Sequence, residues 1–175
     1  MSGSGLNDAD VGRWLAGVAR TIVSVPYVWL ATCPGENDFN VRPMGRLPAE
    51  TGDSDWTIRF LTDGRSPKAA DIRRGGQVAV LFQDDTHEAF VRARGVALLH
   101  EGGAQSFGWW KREYEVYFPT EQDQAHAAAI EFAIDRLDFW IRGVTPEPFG
   151  RQPTCLERTA SGGWRRLSSE AAAAM

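Results

Sequence analysis

The 175-residue sequence is poor in the side chains that build metal sites and disulfide frameworks. Its two cysteines, Cys33 and Cys155, are far apart, and neither belongs to a C-x-x-C pair or stands at metal-ligand spacing. The three histidines, His87, His100 and His126, are isolated, which reads as surface or hydrogen-bonded residues rather than ligands. No apolar run approaches the ~20 residues that a membrane span needs. The opening MSGSGLNDAD lacks the basic-then-apolar pattern of a signal peptide, so the expected compartment is a reducing cytoplasm. No G-x-S-x-G elbow, G-x-x-x-x-G-K-[ST] loop or G-x-G-x-x-G fingerprint is present, which removes the commonest hydrolase, P-loop and dinucleotide-binding readings. The net charge of −4 argues against non-specific nucleic-acid binding, which depends on Lys and Arg neutralising phosphates.

What is present is an ordinary globular composition, 43% hydrophobic, in a chain long enough to bury a core without staples. Nothing marks a linker or repeat, so residues 1–175 are expected to form one domain. Asn7 or Asp8 can cap a first helix, within residues 1–25, whose Val11, Trp14, Leu15, Val18 and Ile22 share one face. Tyr27–Cys33 reads as a strand, followed by a turn at residues 34–38. Phe39–Leu47 reads as a second strand, and Pro43 requires it to be an edge or a bulge. A loop over Pro48–Asp55 leads to an alternating strand at Trp56–Thr62, a short helix at Ser66–Arg74 and a nearly continuous apolar strand at Gln77–Gln83. After the turn Asp84–His87, a long strand over Glu88–His100 carries Gly95 at its middle, which predicts a bulge or sharp bend. Residues 103–132 read as a helical insertion: an aromatic-striped helix near Ala104–Phe118 and an Ala-rich one over Glu121–Phe132. Strands at Ile134–Arg142, Thr154–Thr159 and Trp164–Leu167 close the chain, and residues 168–175 are a frayed tail. Short turns between strands make the sheet antiparallel, so the fold class is mainly β, a closed or split β-barrel with flanking helices.

The strongest chemical signal lies between Val41 and Arg74, where seven basic residues face five acidic ones in an otherwise acidic chain. A solvated mixed-charge face explains the count by itself. Within it, Thr62-Asp63-Gly64-Arg65-Ser66-Pro67-Lys68 offers Ser66 as a helix N-cap, Pro67 at the first helical position and the Lys68 ammonium. That is either a plain helix start or a phosphate cradle. Arg42 adds a residue suited to bidentate phosphate binding, provided that strand Trp56–Thr62 pairs with strand Phe39–Leu47 and brings Arg42 toward Ser66. Pro43, Met44 and Gly45 would then expose backbone groups beside it. The aromatic group Trp109, Trp110, Tyr114, Tyr117 and Phe118 reads first as a stripe packed on the barrel, and second as the wall of a cleft. Asp84-Asp85 reads as a solvated turn.

The ordered runs VRPMG, WTIRFLTDGRSPKAADIRR, QVAVLFQD and FVRARGVALL resemble the FMN-binding split barrels of the pyridoxamine 5'-phosphate oxidase-like group, most of all its general stress protein branch. The resemblance is clear over Tyr27–Leu99 and continues more weakly through RLDFWIR and GGWRRL. It implies an FMN site built between two subunits of a homodimer. Arg42, Lys68 and Ser66 would hold the phosphate, and backbone at Pro43, Met44 and Gly45 would face the flavin ring. Leu61 and Thr62 would line it, while Gln83 and Trp140 would approach the cofactor or the dimer seam. The sequence departs from the oxidases at two places. Pro67 stands where they carry an Arg, for which Arg65 is the candidate substitute. Phe149-Gly150-Arg151-Gln152-Pro153 replaces their C-terminal substrate motif, so pyridoxamine phosphate oxidation is not expected. The resemblance implies an oxidoreductase that acts on a small organic substrate with a nicotinamide donor, with no protein acid or base assigned. A non-catalytic flavin store or stress sensor, or an F420- or haem-binding split barrel, stays open beside it.

Overall fold

A computed structural model of the chain describes residues 8–35, 38–49, 54, 56–75, 77–108 and 110–168. The expectations at Asn7, in most of the turn and loop at 36–37 and 50–55, at Trp109 and in the tail 169–175 lie outside the described residues. The elements run α1 (Asp8–Ser24), β1 (Tyr27–Gly35), β2 (Asp38–Gly45), β3 (Thr57–Asp63), α2 (Pro67–Arg73), β4 (Val78–Asp84) and β5 (Ala89–His100). They continue with α3 (Glu121–Ala125), β6 (Ala127–Ile141), β7 (Thr154–Arg158) and β8 (Trp164–Arg166). The strand order is β2-β1-β4-β5-β6-β7-β8, with β3 added on β6. The result is a mainly antiparallel, unclosed eight-stranded sheet with peripheral helices, which agrees with the fold class expected from the sequence.

The chain divides into two compact units. The first comprises Tyr27–Val80 and Gly95–Ile134, and the second Met1–Pro26, Leu81–Arg94 and Asp135–Met175. In the first, β3 alternates as its sequence dictates, with Ile58, Phe60 and Thr62 buried. It pairs antiparallel with the first half of β6, in register from Thr57↔Ala133 to Asp63↔Ala127. Hairpin β1–β2 pairs Tyr27↔Gly45 through Thr32↔Asn40, and Pro43 sits opposite Trp29 within this ladder. The ladder tolerates Pro43 because β2 ends the strand order, so that strand has an edge where a missing N–H costs nothing. In the second unit, Trp14, Val18 and Ile22 of α1 are buried at helical spacing, and the helix stops short of Pro26, before which the α conformation is disfavoured. The second half of β6 pairs with β7, from Arg136↔Glu157 to Phe139↔Thr154.

Two expectations are corrected. The helical insertion over 103–132 is shorter and more broken than expected: Ala104–Ser106 and Arg112–Val116 are short 3₁₀ helices, α3 ends at Ala125, and β6 begins at Ala127. Alanine favours a helix in isolation, but Ala127–Ala133 finds a seven-residue ladder on β3 and buries Ala127, Ala128, Ala129, Ile130 and Phe132, which outweighs the propensity. The partner of β3 is therefore β6. Just past β2, the chain touches β3 through the isolated bridge Arg46↔Phe60, with Leu47 N–H donating to the Arg59 carbonyl at 2.9 Å. Strand β5 continues through Gly95. Glycine is required there by proximity, because a Cβ at that position would lie 1.9 Å from the Ala133 carbonyl oxygen.

Candidate functional site

The site grows from the turn between β3 and α2. Ser66 has extended backbone, and its hydroxyl accepts from the Ala69 N–H at 3.4 Å, so α2 begins at Pro67 as the sequence predicts. The Thr62 hydroxyl, on the buried face of β3, lies 3.2 Å from the Ser66 hydroxyl. Helix α2 has only seven residues, so the contribution of its dipole is small and the chemistry rests on side chains.

The fate of each cation in this region decides which ones can serve a ligand. Arg59 pairs with Glu131 at 3.2 Å, Arg73 pairs with Glu101, and Arg74 pairs with Asp71. Arg65 is bound to Asp63 at 2.6 Å and to Asp123 at 3.2 Å. It is therefore spent, and does not supply the cation missing at Pro67. Among the described residues Arg42 meets a hydroxyl, donating from Nη1 to Thr32 Oγ1 at 2.8 Å. Among the described residues the Lys68 ammonium has no hydrogen bond or ion pair.

These two cations feel each other. Burial lowers the Lys68 pKa and the Arg42 charge lowers it further, against a smaller opposing effect of Asp63. Burial lowers that of Arg42, opposed by Asp71. An anion beside Lys68 would relieve the cost that the Arg42 charge adds to its own. The structure thus brings Arg42, Lys68, Ser66 and Thr62 into one unit, although by a different pairing from the one expected.

The remaining expected residues distribute as follows. Arg42 and Met44 lie on one face of β2, opposite Leu30 and Val28, while Pro43 and Gly45 alternate to the other face. Leu61 is half-buried against the cluster of Ala104, Phe118 and Ala127. Gln83 and Trp140 belong to the other unit. There Gln83 Nε2 donates to Asp85 at 2.8 Å, and the buried Trp140 indole N–H has no partner among the described residues. Asp84 accepts from Ser24 and contacts His87, a hairpin contact rather than a reactive pair. Trp110 packs edge-on to Tyr114 and tilted to Phe118, with ring centroids 5.8 Å and 5.5 Å away, while Tyr117 is exposed. Among the described residues no group of His, Cys, Asp or Glu could hold a metal ion, and no helix is long and apolar enough to cross a membrane.

Sequence reasoning missed Thr32, Asn40 and Asp71. The Asp71 carboxylate, only 3% exposed, accepts from Thr32 Oγ1 at 2.7 Å, from Asn40 at 3.2 Å and from Arg74. Burial pushes this carboxyl up, but the Thr32 and Asn40 hydrogen bonds with the charges of Arg74 and Arg42 outweigh it and hold it below its ordinary value. An acid between Ala69 and Ile72 on the apolar face of α2 was the available signal.

Residues 16–145 match the pyridoxamine 5'-phosphate oxidase like family. No curated protein matches the sequence. Among solved structures, a protein related to general stress protein 26 from Clostridium acetobutylicum is 20% identical, with a TM-score of 0.61 over 74% of this chain and 89% of its own. A pyridoxamine 5'-phosphate oxidase-related, FMN-binding protein from Nostoc punctiforme is 17% identical, with a TM-score of 0.60 over 96% and 100%. PhzG from Burkholderia lata, in complex with tetrahydrophenazine-1-carboxylic acid, is 16% identical, with a TM-score of 0.58 over 90% of each chain. At these identities the likeness establishes the split-barrel fold.

Proposed function

The chain belongs to the pyridoxamine 5'-phosphate oxidase-like family, and from that membership we propose that it is an FMN-binding homodimer and an FMN-dependent oxidoreductase. Its substrate is a small organic molecule and its electron donor a nicotinamide. One observation carries the cofactor assignment: among the described residues neither Arg42 nor Lys68 has a carboxylate within ion-pair distance, whereas Arg59, Arg65, Arg73 and Arg74 each do, and the Arg42 charge adds to the cost of keeping Lys68 ionised. A phosphate monoester removes that cost, and both the guanidinium fork and the ammonium suit it. The residues present therefore fit the phosphate end of FMN. Ser66 and Thr62 add two hydroxyls at hydrogen-bonding distance from each other, able to turn a proton toward a phosphate oxygen. When bound, the flavin supplies the redox chemistry, and the protein supplies position and access.

The second copy is supported by an exposed apolar face on the β1–β2 hairpin. Trp29 stands opposite Pro43 and Ala31 opposite Val41, and Tyr27, Phe39 and Val41 are all more than half exposed. A contiguous patch of this kind on a small protein marks an interface.

The experiment is the visible spectrum of the freshly purified protein, with mass analysis of any chromophore released by heat. FMN in the supernatant, and NAD(P)H consumption by the yellow protein with an electron acceptor, are the expected results. A yellow protein that consumes no NAD(P)H with any acceptor is a flavin carrier or sensor. A protein that stays colourless with FMN added contradicts the cofactor assignment.

A further inference from the structure

We infer that Thr32 and Asp71 are positioning residues of the phosphate site, a one-way relay of hydrogen bonds from the Arg42 guanidinium through the Thr32 hydroxyl to the buried Asp71 carboxylate, which holds Arg42 ready for the anion that Lys68 awaits. This rests on the reading of Arg42 and Lys68 as phosphate ligands.

The direction of the relay follows from proton counting. A guanidinium only donates, so at 2.8 Å from Arg42 Nη1 the Thr32 oxygen is an acceptor. The single Thr32 proton must then go elsewhere, and Asp71 Oδ2 lies 2.7 Å away. The carboxylate cannot swing to release it. It is 3% exposed, and Asn40 donates to the same oxygen at 3.2 Å while Arg74 donates to the other. Thr32 is equally fixed, at 1% exposure and in register opposite Asn40.

The relay ties three elements to one charge. Asp71 lies three residues beyond Lys68 on α2, Thr32 lies on β1, and Arg42 lies on β2. Fixing α2 to the hairpin thereby fixes the distance between the two cations. An arginine left mobile would lose its rotamer freedom only when the ligand arrives, and affinity would fall accordingly. The Asp71 charge also lightens the cost of keeping Arg42 ionised while half-buried, without being spent on it as a direct ion pair. Two Nη donor positions on the guanidinium thus have different tasks: one is anchored, and the rest are available to an anion.

The test uses the full-length protein and its affinities for FMN and for riboflavin, which lacks the phosphate. Thr32→Val removes the hydroxyl at constant shape. It should weaken FMN about fivefold to tenfold and riboflavin less than about twofold, the loss expected from one unanchored side chain. Thr32→Ser should restore FMN binding. In an Arg42→Ala background, Thr32→Val should cost FMN nothing further, because the side chain it positions is gone. An FMN affinity untouched by Thr32→Val, equal losses for FMN and riboflavin, or full additivity with Arg42→Ala would each overturn the relay. If Thr32→Val does not fold, Asp71→Asn is measured in the same way, with the same selective loss expected and the same results overturning it. Lys68→Ala separates the two levels. If it leaves the FMN-to-riboflavin ratio unchanged, the phosphate reading fails and the relay with it. If it shifts the ratio while Thr32→Val does not, the relay alone fails.

Discussion

Arg65 grips the Asp63 carboxylate through both Nε and Nη2, with the closer contact at 2.6 Å, and the Asp63 carboxylate also accepts the Arg65 backbone N–H at 2.7 Å. The contact folds the turn that delivers Ser66 and Lys68, and it removes from ligand binding the one basic side chain that could replace the cation absent at Pro67. The proposed phosphate site is therefore left with two cations, Arg42 and Lys68, and the Arg65 turn serves as a brace.

Replacing Arg65 should accordingly leave ligand affinity almost alone. Arg65→Gln is expected to change the FMN dissociation constant by less than about threefold, the size of a screened surface charge effect. Fluorescence-quenching titration measures it directly. A loss as large as that of Lys68→Ala would make Arg65 a phosphate ligand.

The same contact has a pH signature. The Arg65 hydrogen bond is the main cause that pulls the Asp63 carboxyl from 3.8 to about 2 in the folded chain. A depressed carboxyl contributes stability that is present above its unfolded pKa and lost as pH falls through the folded one. Between pH 4 and pH 2, roughly the window between those two values, the wild type should lose Tm faster than Asp63→Asn. Parallel pH–Tm curves for the two proteins would contradict the assignment.

Cys155 should be chemically silent. Burial, then its hydrogen bond to Asp138, pushes its thiol up to about 12, so the nucleophilic thiolate is scarce at pH 8. Iodoacetamide followed by mass spectrometry should show label at Cys33, which is partly exposed, and none at Cys155 until the protein is denatured. Equal labelling in the native state would refute this.

Two glycines should respond oppositely to alanine. At Gly95 the new Cβ would meet the Ala133 carbonyl at 1.9 Å, so the strand must shift. Overpacking of this kind costs about 3 kcal/mol, or roughly 10 °C in Tm for a chain of this size. At Gly12, inside α1, nothing lies within 4 Å, and alanine should raise stability by up to about 1 kcal/mol through helix propensity. Thermal melts of Gly95→Ala and Gly12→Ala check both signs.

The hairpin face predicts that Trp29→Glu with Val41→Glu converts a dimer into a monomer in analytical ultracentrifugation. A dimer that survives both charges would move the interface elsewhere on the molecule.

Where the sequence could be read, the reason was local. Alternation in β3, the helical stripe of Trp14, Val18 and Ile22, and the Ser66-Pro67 start of α2 are written in neighbouring residues. Residues 104–132 misled because alanine and aromatic spacing speak only of isolated propensity. The ladder that turns Ala127–Phe132 into a strand comes from β3, some seventy residues earlier in the chain. The candidate site was legible where residue type carries chemistry, at Arg42, Ser66 and Lys68. Its supporting part was not. Thr32, Asn40 and Asp71 acquire a role only when hairpin and helix are packed together, and the sequence alone does not distinguish Arg65 as a brace from Arg65 as a ligand.

The measurement that tests the account most directly is a paired titration of Lys68→Ala and wild type with FMN and with riboflavin. A charge-assisted contact to phosphate is worth about 1.5–3 kcal/mol, so the variant should lose at least about tenfold in FMN affinity and keep its riboflavin affinity. Equal losses for the two flavins, or none for either, would contradict the claim that Arg42 and Lys68 hold a phosphate.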